Sequence, residues 1–269
     1  MTTQKRNAEM VELLRPDFQA RYEPNFAWVN AVSAFLLLPG LRGFWPMSSI
    51  SNAGNAYDLS GQGRTLTYTG NPLYNVVGLA PYIDLDGAGD YLTRADEADL
   101  DITGAATVLA TDLRGLTMGG WFWIDSLAPG ADDAFIGKWN TVGDQRSYLL
   151  NFTDASNSVS FSVSSLGTAV TVVTVTSAAI TAAAWHFMVG RFDPSTEINV
   201  WVDNVEVVNA VGTPASIYSG TANLNIGAHS NGATGLLDGR ASLCFLCAAF
   251  LPDAHIKQLW EQTRALYGV

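Results

Sequence analysis

Two consecutive segments constrain the fold of this chain more than anything else in it: Trp185-His186-Phe187-Met188-Val189-Gly190-Arg191-Phe192-Asp193 and Ile198-Asn199-Val200-Trp201-Val202-Asp203-Asn204. Apolar and polar side chains alternate along both, and the intervening Pro194-Ser195-Thr196-Glu197 is rich in turn formers. A period of two sends successive side chains to opposite faces of an extended strand, so the pattern predicts an antiparallel pair within a sheet.

The same rhythm recurs downstream of about residue 65. Short strands are predicted over 65–68, 82–86, 116–124, 134–139, 148–153, 158–164, 170–176, 185–192, 198–202, 205–209, 223–226 and 241–250, separated by Gly, Asn, Asp or Ser turns. That is the rhythm of an antiparallel jelly roll. One helix is predicted near the end, starting at Pro252 or Asp253, with Ile256, Leu259, Trp260 and Thr263 on one face and Gly268 beyond its last turn. The alternation implies two sheets enclosing Trp45, Trp121, Trp123, Phe187 and Trp201.

Several segments, in order, resemble the motifs of laminin-G-like domains, which have the concanavalin A-like lectin and glucanase fold. Gly43-Phe44-Trp45-Pro46-Met47 is similar to the first strand, and Tyr57-Asp58-Leu59-Ser60-Gly61-Gln62-Gly63 to an early turn. Leu85-Asp86-Gly87-Ala88-Gly89-Asp90-Tyr91-Leu92, Leu116 to Trp123, Trp185 to Asn204, Leu237-Asp238-Gly239-Arg240 and Leu251 to Ile256 continue the series. Asn204 stands where the family usually has Gly, a change that a positive-φ turn tolerates. The resemblance implies an all-β, concanavalin A-like antiparallel sandwich over residues 41–269. It leaves residues 1–40 as an amino-terminal helical arm.

The arm has a different texture. Leu13 and Leu14 belong to a short helical pattern that Pro16 ends or kinks, and a second helix is expected over 25–38. Phe26, Trp28, Val29, Val32, Phe35 and Leu36 give it a broad apolar surface, which must fold back on the sandwich or dock on another subunit. Removing residues 1–38 is accordingly expected to abolish assembly while leaving a folded sandwich. The apolar run from Ala27 to Leu38 is too short to span a bilayer, so no membrane insertion is expected. No basic start, apolar run and small-residue cleavage site marks a conventional secretory signal.

Charge and motifs narrow the function. Fourteen basic against 25 acidic residues give a formal charge of −11, which disfavours a nucleic-acid partner. Cys244 and Cys247 form a C-x-x-C pair, but positions three apart on a strand face opposite ways, so neither a disulfide nor a shared metal is expected. Glucanases of the resembling fold carry E-x-D-x-x-E on a strand, which this chain lacks. Glu197, Asp203 and Glu206 come nearest, and Glu197 and Asp203 fall in turns at opposite ends of one strand. No catalytic residue is assigned, and the chain is expected not to be an enzyme.

Calcium is the one cofactor weighed. Asp84, Asp86 and Asp90 supply hard oxygen ligands along one strand and turn, and laminin-G-like domains often bind calcium at a sandwich edge. The family's second acidic position is filled here by Ser242. For glycan binding, Trp139, Tyr218, His229 and Asn231 are the candidates, because aromatic rings stack on sugar faces and amides bond hydroxyls. The resemblance, together with the apolar arm, leads to the expectation of a structural protein on a bacteriophage virion surface, a capsid decoration or tail component synthesised in the host cytoplasm. Its expected partners are other virion or assembly subunits in a homo-oligomer, with a host-surface glycan as a further partner. A carbohydrate-binding adhesion module is the alternative.

Overall fold

The computed structural model describes residues 27–47, 54–78, 80–104, 114–127 and 132–269. Leu13, Leu14 and Phe26 lie outside the described residues. Among the described residues sixteen strands form two antiparallel sheets: β1 (Leu41–Trp45), β2 (Asn55–Ala56), β3 (Leu66–Thr69), β4 (Leu73–Val77), β5 (Ala80–Asp86), β6 (Tyr91–Arg94), β7 (Leu116–Ile124), β8 (Ala134–Asn140), β9 (Gln145–Thr153), β10 (Ser158–Ser164), β11 (Val172–Ala179), β12 (Trp185–Asp193), β13 (Glu197–Val202), β14 (Val205–Asn209), β15 (Leu224–Ile226) and β16 (Asp238–Cys247). Helix α1 covers residues 27–36 and α2 covers Asp253–Thr263.

The first sheet runs β14-β13-β12-β7-β16-β5-β4, with β1 also paired to β16; the second runs β11-β10-β9-β8-β15-β6-β3-β2. The β12–β13 pair forms as the alternation predicts, with Val189 opposite Trp201. The β13–β14 turn places Asp203 and Asn204 at positive φ, which suits a tight hairpin between right-twisted strands. Strands β2, β4 and β6 are not among those that the sequence predicts. In β4 the run Leu73-Tyr74-Asn75-Val76 is exposed on both faces, so it carries no alternation to read.

Between the sheets lies one large apolar core containing Trp45, Phe122, Phe135, Phe152, Phe161, Met188 and Leu246. Gly190 makes room for it: a Cβ there would come within 2.4 Å of the Phe161 ring from the opposite sheet. Four of the aromatics expected in that core lie elsewhere. Trp121, Phe187 and Trp201 point out of the first sheet into a second core roofed by α1, α2 and the carboxy-terminal residues, and Trp123 packs at its margin. The reason is geometric: Phe122 and Met188 occupy the inward parity of β7 and β12, and their neighbours must face outward.

The second core shows that α1 takes the first of its two expected courses and folds back on the sandwich. Ala31, Phe35 and Leu38 are buried, and the Phe35 ring stacks on Phe44 at 4.9 Å and meets Phe245 at 5.3 Å. Trp28 is half-buried against the same cluster. Cys244 and Cys247 are free thiols, one in each core, as their spacing predicts.

Candidate functional site

The rim of the sandwich at the β5–β6 turn is the place where chemistry-bearing side chains collect. Three segments meet there: the Asp86–Asp90 turn, the Asp132-Asp133 entrance to β8, and the loop from Ala228 to Asp238 that leads into β16. Backbone hydrogen bonds lock them together, Gly87 N–H to the Leu237 carbonyl at 3.1 Å, Ala134 N–H to that of Gly235 at 2.9 Å, and Phe152 N–H to that of Asp133 at 2.7 Å. Their juxtaposition leaves a cleft lined by Asp86, Gly87, Asp133, Thr234, Gly235, Leu236 and Asp238. Gly87 is required at this point: its φ is +67°, and a Cβ would lie 2.9 Å from that of Asp238.

Asp133 is the unusual member. It is 3% exposed, and its Oδ2 has no hydrogen-bond partner among the described residues. Burial, reinforced by the carboxylates of Asp238, Asp132 and Asp154, pushes its pKa up to about 7, against a hydrogen bond from the Asp238 backbone that pulls the other way. Asp238 is also raised, first by burial and then by Asp125, Asp84 and Asp86. An unsatisfied buried carboxylate is costly, so such an atom at the wall of a cleft marks where a ligand could supply the missing bond.

The calcium trio, Asp84, Asp86 and Asp90, lines one small cleft with Asn71, Leu73 and Leu85 but does not form a cage. Asp84 is paired with Arg240 at 3.0 Å, the Asp86 Oδ1 accepts the Ala88 and Asp90 amides, and the Asp90 Oδ1 accepts the Asn71 amide at 2.6 Å. Among the described residues no group of three or more acidic, His or Cys side chains is arranged to hold a metal ion. These aspartates are spent on turn hydrogen bonds and an ion pair, and no calcium chemistry is derived from them.

The glycan candidates are also scattered. Trp139 is 7% exposed, packed on Ala134, Leu149 and Val172, and offers no open ring face for a sugar. Tyr218 is half-buried against Gly167 in a different loop. His229 and Asn231 do reach the rim loop. The His229 Nδ1 lies 2.9 Å from the Ser230 hydroxyl and 3.0 Å from that of Thr234, and burial holds its pKa below the ordinary histidine value. The Asn231 side-chain oxygen accepts the Asn223 amide at 3.1 Å, shaping the turn. Sequence reasoning missed Asp133 because an aspartate before a strand looks like any turn former; only its burial distinguishes it.

The carboxylates nearest to a glycosidase pattern serve structure. Glu206 binds Arg191 and Asn199, Glu197 accepts from Asn199 at 3.2 Å, and Asp203 is bonded to His186 on another strand. Lys138, from Gly137-Lys138-Trp139, is fully buried between Asp96 at 2.7 Å and Asp101 at 2.6 Å.

Comparison with known proteins gives one family and one fold. A profile of the concanavalin A-like lectin/glucanases superfamily matches residues 86–241. No curated protein matches the sequence. Among solved structures, the receptor-binding domain of botulinum neurotoxin C/D mosaic serotype is similar with a TM-score of 0.63 at 8% identity, over 82% of this chain and 51% of that one. The binding domain of Paraclostridial Mosquitocidal Protein 1 follows with a TM-score of 0.60 at 8% identity, over 82% and 52%. A structure concerning botulinum neurotoxin type C and its interaction with two ganglioside molecules has a TM-score of 0.58 at 10% identity, over 87% and 53%. The chain thus spans about half the length of each structure.

Proposed function

This chain belongs to the concanavalin A-like lectin/glucanase superfamily, and from that premise we propose that it is a non-catalytic recognition module that binds a glycan at the rim cleft. The observation that carries the reading is the unpartnered Asp133 Oδ2 in a cleft whose other polar groups are Asp86, Thr234 and Asp238. Carboxylates and hydroxyls fixed on a rigid scaffold are the groups that bond sugar hydroxyls. The toxin domains that share the fold are receptor-binding domains, one concerned with gangliosides, and this supports a binding role over a catalytic one. The carboxylates at Glu197, Asp203 and Glu206 are committed to Asn199, His186 and Arg191, which further favours binding.

Display on a virion surface is the second reading. It draws on the exposed apolar residues Val29, Leu36 and Leu37 of α1 and its carboxy-terminal end, which suit contact with another subunit. A glycan array on the full chain and on Thr234→Trp, a bulky residue at the lip of the cleft, tests the first reading. Saturable binding that the substitution abolishes is the expected result. Binding that Thr234→Trp leaves intact would move the site elsewhere, and no binding to any glycan would remove the reading.

A further inference from the structure

The charge of the rim cleft specifies the kind of sugar it takes. Three of its seven lining residues are aspartates, and none is cationic. Asp132 on the same segment and Asp154 beyond β9 add negative potential at Asp133. Arg240, two residues beyond Asp238, is turned onto the outer face of the first sheet. There it pairs with Asp84 and stacks over Trp123 at 4.6 Å and Tyr82 at 5.3 Å. A carboxylated or sulfated sugar would therefore meet uncompensated like charge, whereas a protonated amine would supply what the buried Asp133 oxygen lacks, both a donor and a counter-charge.

We propose that the cleft recognises an amine-bearing sugar, a hexosamine with its nitrogen unacetylated, seated with the ammonium on the Asp133 Oδ2 and ring hydroxyls toward Asp86, Thr234 and Asp238. The inference rests on the glycan-binding reading above and names its ligand class. It separates this chain from the neurotoxin type C domain, since gangliosides are acidic glycolipids. An ammonium favours the ionised carboxylate, so binding takes up the negative form of Asp133 and releases its proton. Affinity is then expected to rise from about pH 5.5 as Asp133 ionises, to peak near pH 7, and to fall above about pH 8 as the sugar's own ammonium loses its proton. The groups facing Asp133 are Asp132, Asp154, Asp238 and Asp86, with His229 near Asp132; the carboxylates other than Asp133 add attraction for the amine.

Isothermal titration of the full chain with a glucosamine oligomer, its N-acetylated counterpart, a sialylated trisaccharide and calcium chloride tests the idea. The expected order is glucosamine oligomer at least about tenfold tighter than the N-acetylated form, with the sialylated sugar weakest. Asp133→Asn should weaken the glucosamine oligomer about tenfold and remove the acidic limb of the pH profile, leaving the fall above about pH 8 that belongs to the sugar's amine, because the amide cannot carry the counter-charge. Glu261→Gln, which removes one negative charge on the exposed face of α2, controls for net charge and should change neither. Equal or tighter binding of the N-acetylated or sialylated sugar, abolished by Thr234→Trp, would overturn the amine assignment while leaving glycan binding at the cleft in place. Tight calcium binding lost in Asp133→Asn would make the cleft a cation site and overturn it as well. Failure of every sugar to bind would remove both readings.

Discussion

The two outward faces of the sandwich come from strands with the same alternation and have opposite fates. On the first sheet the outward positions of β7, β12 and β13 are Trp121, Phe187 and Trp201, all buried beneath the terminal helices. On the second sheet the outward positions of β10 are Ser158, Ser160, Ser162 and Ser164: Ser160 and Ser162 pair with Thr176 and Thr174 of β11 at 2.9 and 2.8 Å, Ser164 pairs with Thr171 in the turn before that strand at 2.8 Å, and Ser158 donates to the Ser156 carbonyl at 2.8 Å. Among the described residues no helix packs over them, yet all four serines are buried, at 0–7% exposed. A sheet apolar on both faces needs a third layer, whereas one with a hydroxyl face satisfies itself across strands. The helices at the two ends of the described chain are thus consequences of what β7 and β12 carry outward.

The sharpest test of this contrast is Trp121→Ala. The indole lies between Tyr267 at 4.2 Å and Trp260 at 5.4 Å, and its Nε1 donates to the Thr263 hydroxyl at 2.9 Å. Its loss should cost about 3–5 kcal/mol in a denaturant titration, because the helical roof would sit over a void. A cost under about 1 kcal/mol would mean that the roof is not a structural layer. Next in size is Phe35→Ala on α1, expected to cost about 3 kcal/mol through lost contact with Phe44 and Phe245. Leu37→Ala, at an 83% exposed position just beyond that helix, should stay within about 0.5 kcal/mol. By the same logic, removing residues 1–38 should yield a destabilised sandwich with Phe44 and Phe245 uncovered. It would not give the intact one that a separable arm implies.

Period-two alternation made most strands legible, because it records the local side-chain geometry of an extended chain. Strands β7, β10 and β14 fall where the sequence places them. What alternation cannot record is which parity faces the other sheet. Trp121 and Phe122 are adjacent and both apolar, and only the register of β7 against β12 and β16 sends Phe122 inward. The same limit hid the site. Asp86 was visible as part of a family motif, but Asp133 lies 47 positions away, and it becomes distinctive only when the rim loop closes over it.

Titration separates the rim from the strand ends. Asp133 has a folded pKa of about 7, above its unfolded value, so the folded state binds the proton more tightly. Stability is therefore greatest below about pH 4 as far as this group is concerned, and declines as pH rises to about 7. Asp133→Asn should stabilise the ligand-free chain by about 1–3 kcal/mol at pH 8 and by little at pH 4, read from melting curves at the two values. His186 behaves with the same sign for another reason. Burial lowers its pKa, but the Asp203 carboxylate on Nδ1 and the Thr181 carbonyl, 3.0 Å from Nε2, raise it above the ordinary value. Its contribution is fully present below about pH 6.5 and fades as pH climbs through the raised pKa. Asp203→Asn should remove that fade, at a cost of about 1–2 kcal/mol near pH 6.

The smallest effect is expected on the hydroxyl-paired face. Ser162→Ala deletes one hydroxyl of the pair with Thr174, and the Thr174 hydroxyl, on an exposed residue, can turn to water. A cost of about 0.5 kcal/mol or less is expected, since a hydrogen bond exchanged for one to solvent contributes little net stability. Ser162→Val sharpens the comparison, because it gives the second sheet an outward apolar group like those of the first. With no helix over it among the described residues, the added methyls should bring no stability beyond their contact with Leu149, the residue opposite on β9. Ser162 is 7% exposed, so a gain of more than about 1 kcal/mol from Val would show that apolar surface is buried there as it is under the helices, and the division between a helix-roofed face and a hydroxyl-paired face would fail.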